Sequence, residues 1–181
     1  MFAGIGRTYQ LPRLFDSLTV LENVAAVSPE FRLRRLTHSA VSGVEAARAT
    51  ELLEFVGLGD YVDARATDLS YGQRKLVELA QMLMLDPAVI LLDEPAAGIN
   101  PTLLQRLSEL VRSLNAAGRT FVIVEHDMHF VLSLADRATV LARGRVIASG
   151  DPHEVSRDAA VLEAYLGDDF ILEATTNGPR S

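Results

Sequence analysis

The sequence predicts an α/β fold that combines a parallel sheet with an α-helical subdomain and a small C-terminal β-hairpin. Strand and helix patterns alternate between residues 88 and 135, as they do when helices connect parallel strands. Between residues 19 and 85 the apolar residues recur at helical spacing. Two short apolar runs on either side of Arg143-Gly144-Arg145 then predict the hairpin.

Composition and charge exclude several classes of protein. The chain has 181 residues and 49% of them are apolar, so most of it has enough apolar material to fold. A net charge of −7 argues against nucleic-acid binding, which depends on neutralising phosphates. Without cysteine, the chain cannot form a disulfide or a cysteine metal site. No apolar run approaches the roughly 18 residues of a membrane span, so we expect a cytoplasmic protein that reaches a membrane only through a membrane partner.

Three capping boxes predict helices in the first half of the chain. They are Thr19-x-x-Glu22, Ser42-x-x-Glu45 and Ser70-x-x-Gln73, each followed by apolar residues at helical spacing. Gly57 ends the second helix and Asp86-Pro87 ends the third, with a loop predicted over residues 59–68. Residues 1–17 are rich in Gly and then polar, and their pattern assigns them no helix or strand.

Two buried parallel strands are predicted in the second half. Residues 88–92 and 120–124 are short, β-branched and apolar on both faces. Between them, Asn100 as N-cap and Pro101 at the first position begin a helix. The remaining predicted elements are a helix over 127–135, hairpin strands over 138–142 and 146–149, short helices within 151–166 and a loose tail over 167–181.

Two adjacent carboxylates, Asp93 and Glu94, follow the first predicted strand. In open α/β sheets ligands bind beyond the carboxyl ends of the strands. One carboxylate there can hold Mg²⁺, and a second can orient or deprotonate a water. The alternative is a strand end with acidic residues facing solvent. The four apolar residues before this pair and Pro95 after it favour the functional interpretation.

Weaker signals come from three other places in the sequence. The helix that Ser70 caps offers free backbone N–H groups to a phosphate, and Gly72 lets the backbone approach it, although an ordinary capped helix has the same pattern. His126 follows the second strand and can donate to a phosphate oxygen, and its alternative is a structural or exposed histidine. Glu125 beside it is equally consistent with a surface charge. The amide of Gln10 can contact a metal-bound water.

Taken in order, these motifs resemble those of the ABC-transporter ATP-binding family. The similar segments are Gly6-Arg7-Thr8-Tyr9-Gln10 (Q-loop), Leu69-Ser70-Tyr71-Gly72-Gln73 (signature), residues 89–94 (Walker B strand), Ala97-Gly98-Ile99-Asn100 (D-loop) and Glu125-His126-Asp127 (switch histidine). The resemblance implies a partial P-loop NTPase core of the ABC ATPase type. In it, residues 1–10 are a remnant of the catalytic core, 11–85 the helical subdomain with the signature, and 86–166 the rest of the core.

A narrower resemblance points to the ATP-binding subunits of branched-chain amino acid importers. Related uptake systems for urea, amides or aromatic acids share the same segments. The segments that carry it are residues 4–10, Leu14-Phe15, residues 18–24, Tyr71-Gly72-Gln73, residues 93–98, Glu125-His126-Asp127-Met128 and Ala164-Tyr165-Leu166-Gly167.

The family resemblance implies a role for each candidate residue, with ATP and Mg²⁺ as the cofactors. Asp93 would hold Mg²⁺, with Gln10 contacting the metal and its water. Glu94 would polarise the attacking water, and His126 would contact the γ-phosphate. The nucleotide-binding residues would be Ser70, Gly72, Gln73 and Asn100, the signature residues reaching ATP on an opposite subunit.

The resemblance also implies partners. Two ATP-binding subunits, identical or different, would close head to tail around two ATP molecules and energise transmembrane permease subunits. A solute-binding protein would be an indirect partner, and the chain would sit on the inner face of the cell membrane.

One expected motif does not match. Aligned to the phosphate-loop pattern G-x-x-x-x-G-K-[ST], residues 1–8 place Met1 at the first Gly and Arg7 at the Lys. We therefore expect an N-terminally incomplete ATP-binding subunit, and ATP hydrolysis by this chain stays open. The alternatives are a non-catalytic partner that supplies a signature face to another ATPase, and an ABC ATPase outside transport.

Overall fold

A computed structural model of the chain describes residues 4–9, 11–28 and 43–166. The chain divides into two compact units, residues 1–126 and residues 127–181. Among the helices of the described residues, none combines the length and the apolar composition that a membrane span needs.

The first unit contains a parallel three-stranded sheet in the order β1-β2-β3. Its strands are β1 (Ile5–Arg7), β2 (Val89–Asp93) and β3 (Thr120–Val124). Gly6 of β1 lies beside Ile90 of β2, which in turn lies beside Phe121 of β3. The parallel sheet predicted from the alternating pattern is therefore present.

The sequence pattern missed β1. Its three residues include Gly6, a residue type depleted in strands, so no local signal marks it. A Cβ atom at Gly6 would lie 2.6 Å from Met82 Cγ, so a larger residue in β1 would require the Met82 side chain to move. Pairing with a distant strand and packing against a helix create β1, and neither is visible in a short stretch of sequence.

Three helices that precede β2 in the sequence pack together into a helical core. They are α1 (Val20–Ala25), α2 (Gly43–Val56) and α3 (Tyr71–Met84), and they pack against one another. The capping boxes at Thr19 and Ser70 are confirmed, whereas Ser42 lies outside the described residues. Their largest fully buried apolar side chains are Val20, Val24, Leu53, Val56, Val77 and Leu79.

One smaller difference from the predicted elements occurs near these helices. Residues 59–68, predicted as a loop, contain two short 3₁₀ turns, Gly59–Tyr61 and Ala66–Asp68. Gly57, predicted to end α2, has a φ of +85°, which favours glycine after a helix. The helix α4 (Pro101–Ala116) follows β2 and begins where Asn100 and Pro101 predicted it.

The prediction that β3 is buried was wrong. Its residues alternate between exposed and half-buried, and Val122 and Val124 are 49% and 60% exposed. Among the described residues β3 pairs only with β2, so it is an edge strand of this sheet. An apolar run on both faces of a strand does not reveal whether both faces are covered, because covering comes from distant parts of the chain.

The second unit contains the predicted hairpin and short helices. The helices are α5 (Met128–Leu134), α6 (Pro152–Val155) and α7 (Ala159–Leu166). The strands β4 (Ala138–Ala142) and β5 (Arg145–Gly150) pair antiparallel around a turn at Arg143 and Gly144. The buried core of this unit consists of Ala138, Val140, Val155 and Val161. The predicted loose tail over 167–181 lies outside the described residues.

Asn23 joins α1 to the loop before it. This side chain is fully buried, and its Oδ1 accepts from the Phe15 N–H at 2.8 Å. Its Nδ2 donates to the carbonyl oxygens of Thr19 at 2.9 Å, Phe15 at 3.1 Å and Leu18 at 3.5 Å. One buried amide therefore joins α1 to the backbone of residues 15–19.

We expect Asn23→Ala to lower the free energy of unfolding by about 2–4 kcal/mol, because it removes all the hydrogen bonds of a fully buried side chain, including the acceptor of the Phe15 N–H. Urea denaturation of the full-length protein measures the loss. The matched control is Asn115→Ala, which removes one exposed hydrogen bond to the Arg119 carbonyl and should cost less than about 1 kcal/mol. Equal losses in the two variants would contradict this account of Asn23.

Candidate functional site

The ends of β2 and β3 bring together the predicted strand-end residues. Asp93, the last residue of β2, lies beside Val124, the last residue of β3. Glu94 and His126 follow within two residues, so both lie at the same edge of the sheet. The parallel register of β2 and β3 produces this grouping.

Asp93 is partly exposed and already paired with a cation. Its Oδ2 accepts from Arg7 Nη2 at 3.0 Å, and its backbone N–H donates to Thr8 Oγ1 at 3.4 Å. The Arg7 guanidinium also lies 5.3 Å from the centroid of the Tyr9 ring. Oxygen donors from one or two carboxylates, completed by substrate oxygens, are the set that Mg²⁺ prefers, so Asp93 fits the predicted metal role. Sequence reasoning missed Arg7, because its partner is 86 residues away.

Glu94 has an unusual backbone conformation. Its φ is +45°, in the left-handed region that costs a non-glycine residue on the order of 1–3 kcal/mol. Its N–H donates to the Val124 carbonyl at 2.9 Å, which continues the pairing of β2 with β3. The chain therefore turns sharply where the predicted catalytic carboxylate stands.

Lys75 is a site residue that the sequence did not single out. It lies on α3 and is 8% exposed. Its Nζ donates to the carbonyl oxygens of Glu94 at 2.7 Å, Ala97 at 2.9 Å and Pro95 at 3.2 Å. A lysine among the apolar residues of a helix was the available signal, because such a lysine must find acceptors inside the protein.

Glu125 is not the surface charge that the sequence left open. Its side chain is 0% exposed. Its Oε1 accepts from the Ala96 N–H at 2.6 Å, and its Oε2 accepts from the His126 N–H at 3.0 Å. The side chain of His126 is 71% exposed, so an incoming ligand can reach its imidazole. The surface-charge alternative was wrong, because Glu125 directly follows β3 and its carboxylate accepts backbone hydrogen bonds inside the protein.

The predicted signature residues form the first turn of α3. Ser70 Oγ accepts from the Gln73 N–H at 3.4 Å, and Gln73 Oε1 accepts from the Ser70 N–H at 2.9 Å. A Cβ atom at Gly72 would lie 2.7 Å from Leu103 Cδ1, so this glycine allows α3 and α4 to pack closely. Asn100 caps α4 by accepting from the Leu103 N–H at 2.9 Å. Each residue thus has a local structural role, and nucleotide binding by this set stays a prediction.

Tyr71 packs against the segment after β2. The Lys75 ammonium lies 5.3 Å from the centroid of its ring. A Cβ atom at Gly98, where φ is +71°, would lie 3.0 Å from Tyr71 Cε1. The start of α3 therefore contacts the residues that follow the two carboxylates.

The sequence of this chain matches two known family profiles. The profile of the family described as "ABC transporter" matches residues 2–97. The chain belongs to this family. A second profile, "Branched-chain amino acid ATP-binding cassette transporter", matches residues 145–171.

Individual relatives agree with this assignment. A probable branched-chain amino acid transport ATP-binding protein, LivG of Archaeoglobus fulgidus, is 40% identical over 173 residues, which are 91% of this chain and 66% of the relative. The lipopolysaccharide export system ATP-binding protein LptB of Acidithiobacillus ferridurans is 36% identical over 169 residues, or 93% and 67% of the two chains. The chain therefore spans about two thirds of the length of these relatives.

A solved structure confirms the predicted fold class. The ADP conformation of an ATP-binding cassette of an ABC transporter matches with a TM-score of 0.76 and 36% identity. The match covers 91% of this chain and 69% of the other. The mixed architecture of helices, parallel sheet and antiparallel hairpin is thus that of an ABC ATPase domain.

Gln10, the predicted Q-loop residue, lies outside the described residues. A cavity beside Asp93, lined also by Lys75 and Glu78, has a volume of about 20 Å³. That is room for about one water molecule.

Glu78 lies on α3 at this cavity, and its Oε1 accepts from the Tyr9 N–H at 3.1 Å. Burial raises the pKa of the Glu78 carboxyl above its ordinary value of 4.5, although the Tyr9 N–H and Lys75 oppose the rise. The folded state therefore holds this proton more tightly than the unfolded state. Its contribution to stability is complete below pH 4.5 and is lost as the pH rises through the raised pKa.

We expect Glu78→Gln to become more stable relative to the natural protein as the pH rises from 4.5 towards neutrality. Glutamine keeps an oxygen for the Tyr9 N–H and never ionises, so it avoids the cost of a buried charge. Urea denaturation over a series of pH values measures the difference. Glu109→Gln, on the exposed side of α4, is the control, and identical pH dependence in the two variants would refute the prediction.

Proposed function

We propose that this chain is the ATP-binding and ATP-hydrolysing subunit of an ABC importer, with branched-chain amino acids as the transported solutes. The observation that carries the proposal is the placement of Asp93, Glu94 and His126 at one edge of the parallel sheet. Membership of the family and the name of the relative from Archaeoglobus fulgidus support the same activity.

The chemistry follows from the residue types at this edge. A bound Mg²⁺ would neutralise charge on the phosphates of ATP, and Asp93 would hold it through a carboxylate oxygen. Glu94 would orient the attacking water and accept its proton. The exposed imidazole of His126 would donate a hydrogen bond to the γ-phosphate. Gln10 would complete the contacts to metal and water.

A second subunit would complete the site. Ser70, Gly72 and Gln73 stand at the N-terminus of α3, where backbone N–H groups favour phosphate. In a head-to-tail dimer, these residues and Asn100 would face the ATP held by the other subunit. Closing two such surfaces would exclude water from the nucleotide, and reopening would release the products.

Transport would depend on partners. Transmembrane permease subunits would bind this chain on the inner face of the cell membrane, and a solute-binding protein would act through them. Nucleic acid is not an expected partner, given the net charge of −7. Branched-chain amino acids are the proposed solutes because the second family profile and the relative with 40% identity both name branched-chain amino acid transport.

We expect Glu94→Gln to lower kcat for ATP hydrolysis by about a hundred- to ten-thousandfold, because it removes the proton acceptor for the attacking water. ATP affinity should change little, since Asp93 and His126, the proposed contacts to Mg²⁺ and to the γ-phosphate, remain. The measurements are phosphate release and equilibrium binding of a fluorescent ATP analogue to the full-length protein. Glu109→Gln on α4 is the control for a lost surface carboxylate and should keep the natural kcat.

Two outcomes would reject this function. One is a Glu94→Gln variant that hydrolyses ATP as fast as the natural protein. The other is hydrolysis that appears only after mixing with a separate chain that carries a phosphate loop. That result would favour the alternative of a non-catalytic partner that supplies its signature face.

A further inference from the structure

The turn Glu94–Ala97 is held by two buried charges of opposite sign. Its carbonyl oxygens at Glu94, Pro95 and Ala97 accept from Lys75 Nζ. Its amide at Ala96 donates to Glu125 Oε1 at 2.6 Å. A cation thus binds the acceptors of this turn and an anion binds one of its donors.

Both charges are buried enough to make these bonds matter. Lys75 is 8% exposed, and the Glu125 side chain is 0% exposed. Burial lowers the pKa of the Lys75 ammonium below its ordinary value of 10.5, while Glu125, Glu78 and Glu94 oppose the fall. Buried charges are costly unless hydrogen bonds replace water, so an alternative conformation of the turn would leave both charges poorly solvated.

We propose that Lys75 and Glu125 are positioning residues that lock the turn Glu94–Ala97 and thereby set the direction of the Glu94 carboxylate. The inference deepens the proposed function, on which its catalytic part rests. Lys75 would act from the signature helix α3, and Glu125 would act from the end of β3. We call this pair the turn clamp.

The turn clamp would hold Glu94 in its unfavourable backbone conformation. A φ of +45° is unfavourable for glutamate and persists only when the surroundings enforce it. Lys75 binds the carbonyl oxygen of Glu94 itself, at 2.7 Å. Loss of that contact would let the backbone relax and would move the carboxylate away from its place beside Asp93.

The turn clamp also connects the other predicted site residues. Glu125 directly precedes His126 and accepts from its backbone N–H at 3.0 Å. Lys75 lies little more than one helical turn after Ser70, and its ammonium stands over the Tyr71 ring. A shift at the start of α3 would therefore reach Glu94 and His126 through hydrogen-bonded contacts.

Amide hydrogen exchange of the full-length protein, measured residue by residue without nucleotide, tests the turn clamp directly. Lys75→Met keeps the apolar stem and removes the donors, so exchange at Ala97 should rise about tenfold. Glu125→Gln keeps an acceptor for Ala96 but turns an N–H towards the His126 amide, whose exchange should rise by about the same factor. Arg48→Met, which breaks an exposed ion pair with Glu51, should leave both sites unchanged.

Steady-state ATP hydrolysis by the same variants tests the catalytic part. With the carboxylate misplaced, kcat should fall by about ten- to a hundredfold in Lys75→Met and Glu125→Gln, while KM for ATP stays within about twofold. Lys75→Arg should recover part of kcat, because its guanidinium still donates to carbonyl oxygens. Arg48→Met should keep the natural kcat.

The outcomes separate this inference from the proposed function. Unchanged exchange at Ala97 and His126 would overturn the turn clamp, whatever the activity. Raised exchange with an unchanged kcat would overturn its role in positioning Glu94. A natural protein without ATP hydrolysis would overturn the proposed function instead, and exchange alone would then decide whether the clamp exists.

Discussion

The parallel pairing of β2 with both of its neighbours is the interaction on which the candidate site depends. It aligns Asp93 with Val124, so the residues that follow β2 and β3 lie at the same edge of the sheet. Bonds beyond the strands continue the ladders, from the Thr8 N–H to the Leu91 carbonyl and from the Glu94 N–H to the Val124 carbonyl. A shift by one residue would place Asp93 on the opposite face, so this register largely fixes which side chains meet.

Buried charges then refine what the sheet has brought together. Lys75 and Glu125 mainly form hydrogen bonds with backbone groups of one turn. Each of these hydrogen bonds offsets part of the free-energy cost of burying a charged side chain. Such a network favours one conformation over its alternatives more than it raises stability. It suits a turn in which a glutamate has left-handed backbone angles.

The helix ends show how local structure and proposed function share residues. Ser70 and Gln73 complete a capping box, and Asn100 caps α4, each for reasons that hold in any helix. The same caps fix the first turns, where backbone N–H groups converge and phosphate is favoured. Gly72 adds a second constraint, since a side chain there would require Leu103 to move. Sequence patterns at these positions therefore predicted the structure well, while their contacts with nucleotide belong to the proposal.

The sequence by itself determined the helix starts, the hairpin, the fold class and the strand-end carboxylates. Each element depends on residues within a few positions of one another, so a local sequence pattern predicts it. The order of these patterns along the chain predicts the fold class. The tertiary structure alone decided that β1 exists, that β3 pairs only with β2 among the described residues and that the side chain of Glu125 is buried. It also gave Lys75 its partners, 19 to 22 residues away, and Arg7 its partner Asp93, 86 residues away. Those contacts join residues that are distant along the chain, and only the pairing of strands and the packing of helices bring them within hydrogen-bonding distance.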